Sequence, residues 1–93
     1  MDGVICENTK PYRKAKPIPG AIEQLKEWHE KGFKIIIHTS RFQCDRKLTE
    51  SWLKRHDVKY SKLIMGKPRA DIYIDDKGWR FRSWKELSCF PVD

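Results

Sequence analysis

Residues 66–76 read Gly66-Lys67-Pro68-Arg69-Ala70-Asp71-Ile72-Tyr73-Ile74-Asp75-Asp76. A loop carrying one lysine leads into a short apolar run that ends on two adjacent carboxylates. Ile72 and Ile74 are β-branched and Tyr73 is aromatic, the composition of a buried strand. Lys77-Gly78 follows as a turn signal. In open α/β sheets, ligands lie beyond the carboxyl ends of the strands. Two acids at such an end, one loop after a lysine, suit a divalent cation and a phosphate. The plainer alternative leaves the acids capping the next turn and Lys67 solvated. This stretch alone does not choose between them.

Working back towards the N-terminus, residues 62–65 (Lys-Leu-Ile-Met) read as another strand. Before it, a helix is expected from residues 43–45 to about His56, with Leu48, Trp52 and Leu53 inward. Residues 33–38 (Phe-Lys-Ile-Ile-Ile-His) form a near-continuous apolar run, read as a buried parallel strand that exits at Thr39-Ser40-Arg41. A first helix opens at Pro19-Gly20 and places Ala21, Ile22, Leu25 and Trp28 on one face, with Gly32 as its stop. Residues 8–18 are polar and basic, with Lys10, Arg13, Lys14 and Lys16, and read as a surface loop that steers anions. Residues 1–7 look like the end of a strand rather than its beginning. Beyond Asp76, residues 79–81 are read as a short edge strand, and Ser83 as the N-cap of a terminal helical turn. Strands alternating with helices imply a three-layer α/β domain with a Rossmann-like, mainly parallel sheet.

The totals are consistent with one domain over residues 1–93. The net charge of +7 favours anionic partners, either phosphorylated small molecules or polymers, nucleic acid included. Cys6, Cys44 and Cys89 are odd in number and widely spaced, which argues against a disulfide framework or zinc knuckle and fits reduced thiols in a cytoplasmic protein. No apolar run approaches the ~20 residues of a membrane span, and the N-terminus lacks a signal-peptide pattern.

Asp2, Thr39 with Ser40, Lys67, and Asp75 with Asp76 therefore fall at strand ends or in the loops after them. Phosphoryl transfer uses this mixture: a metal and a lysine neutralise phosphate oxygens, a hydroxyl holds them, and carboxylates serve as nucleophile and acid/base. The set resembles, in order and over essentially the whole chain, the motifs of the haloacid dehalogenase (HAD) superfamily of phosphohydrolases. Asp2-Gly3-Val4-Ile5 is similar to the back half of the first motif. Residues 35–39 resemble the second, Lys67 the third, and residues 72–76 the fourth.

The resemblance implies a Mg²⁺-dependent phosphatase-type hydrolase, acting on a sugar phosphate or a polynucleotide end. Asp2 would be the general acid/base and would help to hold the metal. Thr39 and Lys67 would bind the transferred phosphate, and Asp75 with Asp76 would hold Mg²⁺. Ser40 and Arg41 would touch substrate, or else merely cap and solvate the loop. His38, one residue before the site, reads as a satisfied buried histidine. The Trp residues read as core. The gaps between motifs are too short for a cap domain, so a capless, open site is expected, in a monomer or an oligomer.

The resemblance breaks at one point. The family's nucleophilic aspartate lies two residues before the acid/base, which from Asp2 is position zero. The first strand is thus truncated relative to the family, and no turnover is expected from these residues. An N-terminal truncation of a longer enzyme is the favoured explanation. A degenerate relative or a strand supplied by a second chain are the others. The alternative function is a non-catalytic basic module that binds phosphorylated polymers or nucleic acid.

Overall fold

A computed structural model describes residues 1–87. Within them the order is helix α1 (Ala21–Glu30), strand β1 (Ile36–His38), helix α2 (Arg46–Arg55), strand β2 (Lys62–Ile64) and a short helix α3 (Trp84–Leu87). Single 3-10 turns occur at Tyr12–Lys14 and Gln43–Asp45. β1 and β2 pair in parallel, with Ile37 opposite Leu63, and α2 makes the crossover between them. The architecture is α/β with a two-stranded parallel sheet.

Both principal helices end as their sequences dictate. Gly32 adopts φ +88°, its N–H bonds to the His29 carbonyl, and Phe33 N–H reaches the Trp28 carbonyl. That is a Schellman ending, in which glycine accepts the left-handed position without a Cβ penalty. α2 ends the same way, but with Asp57 in the left-handed position at φ 54°. At the other end of α1, Gly20 has φ +91°, and a Cβ built there would lie 3.3 Å from Trp84 Cβ. Gly20→Ala is therefore expected to lower stability by about 1–2 kcal/mol, since an L side chain strains this backbone. It should cost more than Gly32→Ala, whose Cβ would meet nothing within 4 Å. Urea midpoints of the two variants test this, and equal shifts would refute the close approach to Trp84.

The core is one cluster. Leu25 and Ala21 of α1, Trp52 and Leu53 of α2, Ile37 and Leu63 of the strands, and Ile5, Cys6 and Trp84 from the chain's two ends are all buried in it. Trp52 Nε1–H donates to the Ala15 carbonyl at 2.9 Å, which fixes the basic loop onto α2. Trp84 Nε1–H donates to the Val4 carbonyl, and its ring meets Trp28 at 6.1 Å and Phe81 at 5.4 Å between centroids. Trp52, Trp84 and, at the edge, Trp28 serve the core as expected, whereas Trp79 is 49% exposed and does not.

Several expectations are corrected here. Ile72 and Ile74 are 73% and 93% exposed, and residues 72–74 form no strand. Residues 79–81 form none either; Phe81 instead packs on Trp84. β-propensity describes fit to a pleated, half-buried surface, and these segments pair with neither β1 nor β2. Residues 3–5 form a turn between isolated bridge positions at Asp2 and Cys6 rather than a strand, with Gly3 at φ +81° and the Val4 and Ile5 N–H groups both on the Met1 carbonyl. β1 buries Ile37 but exposes Ile36 and His38, so the apolar run is covered on one face only. His38 is thus exposed, not buried. In α2, Leu48 turns outward and Thr49 takes the buried position. His56 caps α2, and burial and then the charge of Arg55 push its pKa below the ordinary value. Ser83 does cap α3, its Oγ accepting the Glu86 N–H at 3.1 Å. Cys6 and Cys44 are free thiols, while Cys89 lies outside the described residues.

Candidate functional site

Parallel strands deliver their following loops to the same end of a sheet, and here the two loops are stitched together. Thr39 N–H donates to the Ile64 carbonyl at 3.0 Å, Lys67 N–H to the Thr39 carbonyl at 2.8 Å, and Gly66 N–H to the Arg41 carbonyl at 2.9 Å. Gly66, at φ +75°, makes the reversal that these bonds require. Thr39 and Lys67, far apart in sequence, become backbone neighbours.

Around them the site divides into an inner and an outer half. The inner half is organised by Arg41, whose guanidinium is buried. Its Nε donates to Asp2 Oδ2 at 2.9 Å and its Nη2 donates to Asp2 Oδ1, a bidentate pair. Nη1 donates to Thr49 Oγ1 at 3.1 Å, and the guanidinium carbon lies 3.8 Å from the centre of the Tyr12 ring. The Arg41 amide donates to Thr39 Oγ1 at 3.2 Å, which leaves that hydroxyl's own proton as its donor. Burial works against the ionised form of Asp2, but the hydrogen bonds and charge of Arg41 outweigh it and hold the carboxyl below its ordinary value. Cys6 Sγ lies 3.6 Å from both Asp2 Oδ1 and Arg41 Nη2. Burial, and then the nearby Asp2 charge, push its thiol up to about 11, so it is unreactive at neutral pH.

The outer half is a pocket of about 610 Å³ lined by Lys67, Tyr73, Asp75, Trp79 and Arg80, among others. The Lys67 ammonium lies 4.2 Å from the centre of the Tyr73 ring, and the Tyr73 hydroxyl donates to the Pro68 carbonyl. Asp75 is exposed, and the Lys77 N–H bond to its Oδ1 at 2.7 Å lowers its pKa. Asp76 is equally exposed and pairs with Lys77 Nζ at 3.2 Å, an ion pair of little worth in water.

The sequence-derived residues are thus brought to one end of the sheet in two sets. Asp2, Thr39 and Arg41 are joined directly; Lys67 bonds Thr39 by its backbone and shares the outer pocket with Asp75; Ser40, between Thr39 and Arg41, is half-buried. A divalent cation needs Asp2, Asp75 and Asp76 to converge, yet among the described residues no three acidic, His or Cys side chains form a group able to hold a metal. As folded, Asp2 faces Arg41, Asp75 accepts the Lys77 amide and Asp76 turns to Lys77. The donor set does not fit Mg²⁺ in this arrangement.

Two participants escaped the sequence reading. Tyr12 carries no spacing signal, because its relation to Arg41 exists only in three dimensions. Thr49 carried one: it precedes Trp52 and Leu53 by three and four residues, on their buried face.

A family model described as "PITM 1-3, LNS2 domain" matches residues 1–87. The chain belongs to the LNS2-domain family. This implies a phosphatase-like hydrolase fold and no more than that. Among solved structures, the LNS2 chain is similar to a structural-genomics target from Vibrio cholerae. The identity is 30% and the TM-score 0.79, over 99% of this chain and 85% of that one. No curated protein matches it. No helix among the described residues of this LNS2 chain is long and apolar enough to cross a membrane.

Proposed function

We propose that this LNS2-family chain has a HAD-like, phosphatase-type fold whose strand-end loops recognise a phosphoryl group, and that these 93 residues bind such a group without turning it over. One observation carries the reading: the bonds that draw Lys67 against Thr39 and Gly66 against Arg41. They place a hydroxyl with a donor to give and an ammonium at the same end of the sheet, the pairing that neutralises and orients phosphate oxygens.

The same geometry supports the lack of turnover. A general acid works best with a pKa near the operating pH, whereas Arg41 holds Asp2 ionised. Among the described residues Asp2 is also the only carboxylate bonded within the inner half, and none of them sets a second carboxylate beside it to act as nucleophile.

Calorimetry with orthovanadate or inorganic phosphate should detect binding, weakened at least about tenfold in Lys67→Ala, since a desolvated charge-assisted contact contributes roughly 1.5–3 kcal/mol. Phosphate release from p-nitrophenyl phosphate, with Mg²⁺ supplied, should stay at background. Steady release that survives repurification would sink the non-turnover claim. Undiminished anion binding by Lys67→Ala would sink the site.

A further inference from the structure

The Lys67 ammonium lies 4.2 Å from the centre of the Tyr73 ring. Among the described residues no carboxylate pairs with it, although Asp71 and Asp75 line the same outer pocket. The Tyr73 hydroxyl donates to the carbonyl of Pro68, the residue after Lys67. Residues 67–73 thus close on themselves, and the ring that faces the ammonium is tethered to the backbone beside it. Residues 72–74 form no strand and Tyr73 is 53% exposed, so neither strand pairing nor core packing accounts for its placement.

We infer that Tyr73 is a positioning residue, which sets the Lys67 ammonium for an incoming phosphoryl group. The inference rests on the phosphoryl-binding reading above and adds a residue that acts on the anion only through Lys67. Lysine is a point charge on a flexible four-carbon stem, so an untethered one loses side-chain freedom when it closes on a phosphate. A ring beneath the ammonium removes part of that loss in advance. The ring attracts the cation through its negative face and carries no formal charge to set against the anion. An ion pair with Asp71 or Asp75 would also hold Lys67, but that carboxylate would have to be displaced and would repel the phosphate. The other end of the residue is fixed as well, since Lys67 N–H bonds to the Thr39 carbonyl. Main chain and side chain are therefore both placed before any ligand arrives. The same loop holds a second cation over a ring, the Arg69 guanidinium 5.9 Å from the Phe42 centroid. Arg69 is not among the residues that line the pocket, so this pair serves as the control.

The test is calorimetric titration of the 93-residue chain with orthovanadate, joined to NMR of the Lys67 side chain. Tyr73→Leu should weaken orthovanadate binding about two- to tenfold, the range for ordering one flexible side chain. Tyr73→Phe keeps the ring, loses only the bond to Pro68, and should retain most of the affinity. Phe42→Leu should leave the affinity unchanged. The Lys67 ε-methylene protons should be shifted upfield by the ring in the parent and in Tyr73→Phe, and should return to the ordinary lysine position in Tyr73→Leu. In a Lys67→Ala background, Tyr73→Leu should cost nothing further, which separates positioning from a general structural role. Equal binding by Tyr73→Leu and the parent, with Lys67→Ala still weakened, would overturn the inference and leave the phosphoryl site standing. So would tighter binding by Tyr73→Leu, an undiminished cost of Tyr73→Leu in the Lys67→Ala background, or the absence of the upfield shift in the parent. Failure of the parent to bind orthovanadate would remove the underlying reading as well.

Discussion

Arg41→Ala is expected to destabilise the domain by about 3–5 kcal/mol, the usual consequence of removing one partner from a buried ion pair. The Arg41 side chain is 1% exposed and that of Asp2 17%. Truncation would strand the Asp2 carboxylate, leave the Thr49 hydroxyl without its donor and open the space against Tyr12. Small domains have only about 5–15 kcal/mol in all, so the loss should be plain in a urea titration. Arg41→Lys keeps the charge but not the planar fork, and should recover only part of it. An Asp2→Ala/Arg41→Met double variant should lie much closer to the parent, because most of the single-variant loss is the cost of an orphaned charge. A shift below about 1 kcal/mol in Arg41→Ala would show that the cluster is incidental.

The same pair sets the response to acid. The pKa of Asp2 is lower when folded than the ordinary 3.8 of the unfolded chain. Its contribution is therefore complete above that value and is lost as the pH falls through it towards the folded value. The stability gap between the parent and Asp2→Asn should be constant near neutrality and shrink below about pH 4.

The second large effect is expected at Trp52, which is buried at the junction of α2, the basic loop and the sheet. Trp52→Ala should cost about 3–5 kcal/mol. Trp52→Phe should cost less, but it still leaves the Ala15 carbonyl without its donor, about 1–3 kcal/mol for a buried group. The His56 ring lies 4.2 Å from the Trp52 ring, and burial is the first cause of its lowered pKa. Opening that side should let His56 titrate closer to its ordinary 6.5, which an NMR titration of its ring protons would read. Because its folded pKa is depressed, His56 contributes stability above 6.5 that is lost as the pH falls further. That acid sensitivity should fade in Trp52→Ala. An unchanged His56 titration would show that Trp52 does not shield it.

Local, short-range information was legible along the chain. Residues 21–30 could be placed from the spacing of Ala21, Leu25 and Trp28, because a helix repeats its buried face within its own length. Their C-terminus was readable from Gly32, and the start of α3 from Ser83, since caps are chemistry between near neighbours. β1 and β2 were readable as apolar runs between turn signals, and the residues after them as a common end. Strand formation at residues 72–74 was not legible. Ile-Tyr-Ile has the right composition, but a strand exists only against a partner edge, and the sheet of the described residues consists of β1 and β2 alone. Nor was the role of Arg41 legible. A guanidinium reads as solvated until a carboxylate from residue 2, a hydroxyl from residue 49 and a ring from residue 12 are folded around it. The sequence by itself determined which segments are helical, where they stop, and that Thr39 and Lys67 follow parallel strands. Only the tertiary structure decided which strands pair and which charges are buried, because both depend on contacts between residues far apart in the chain.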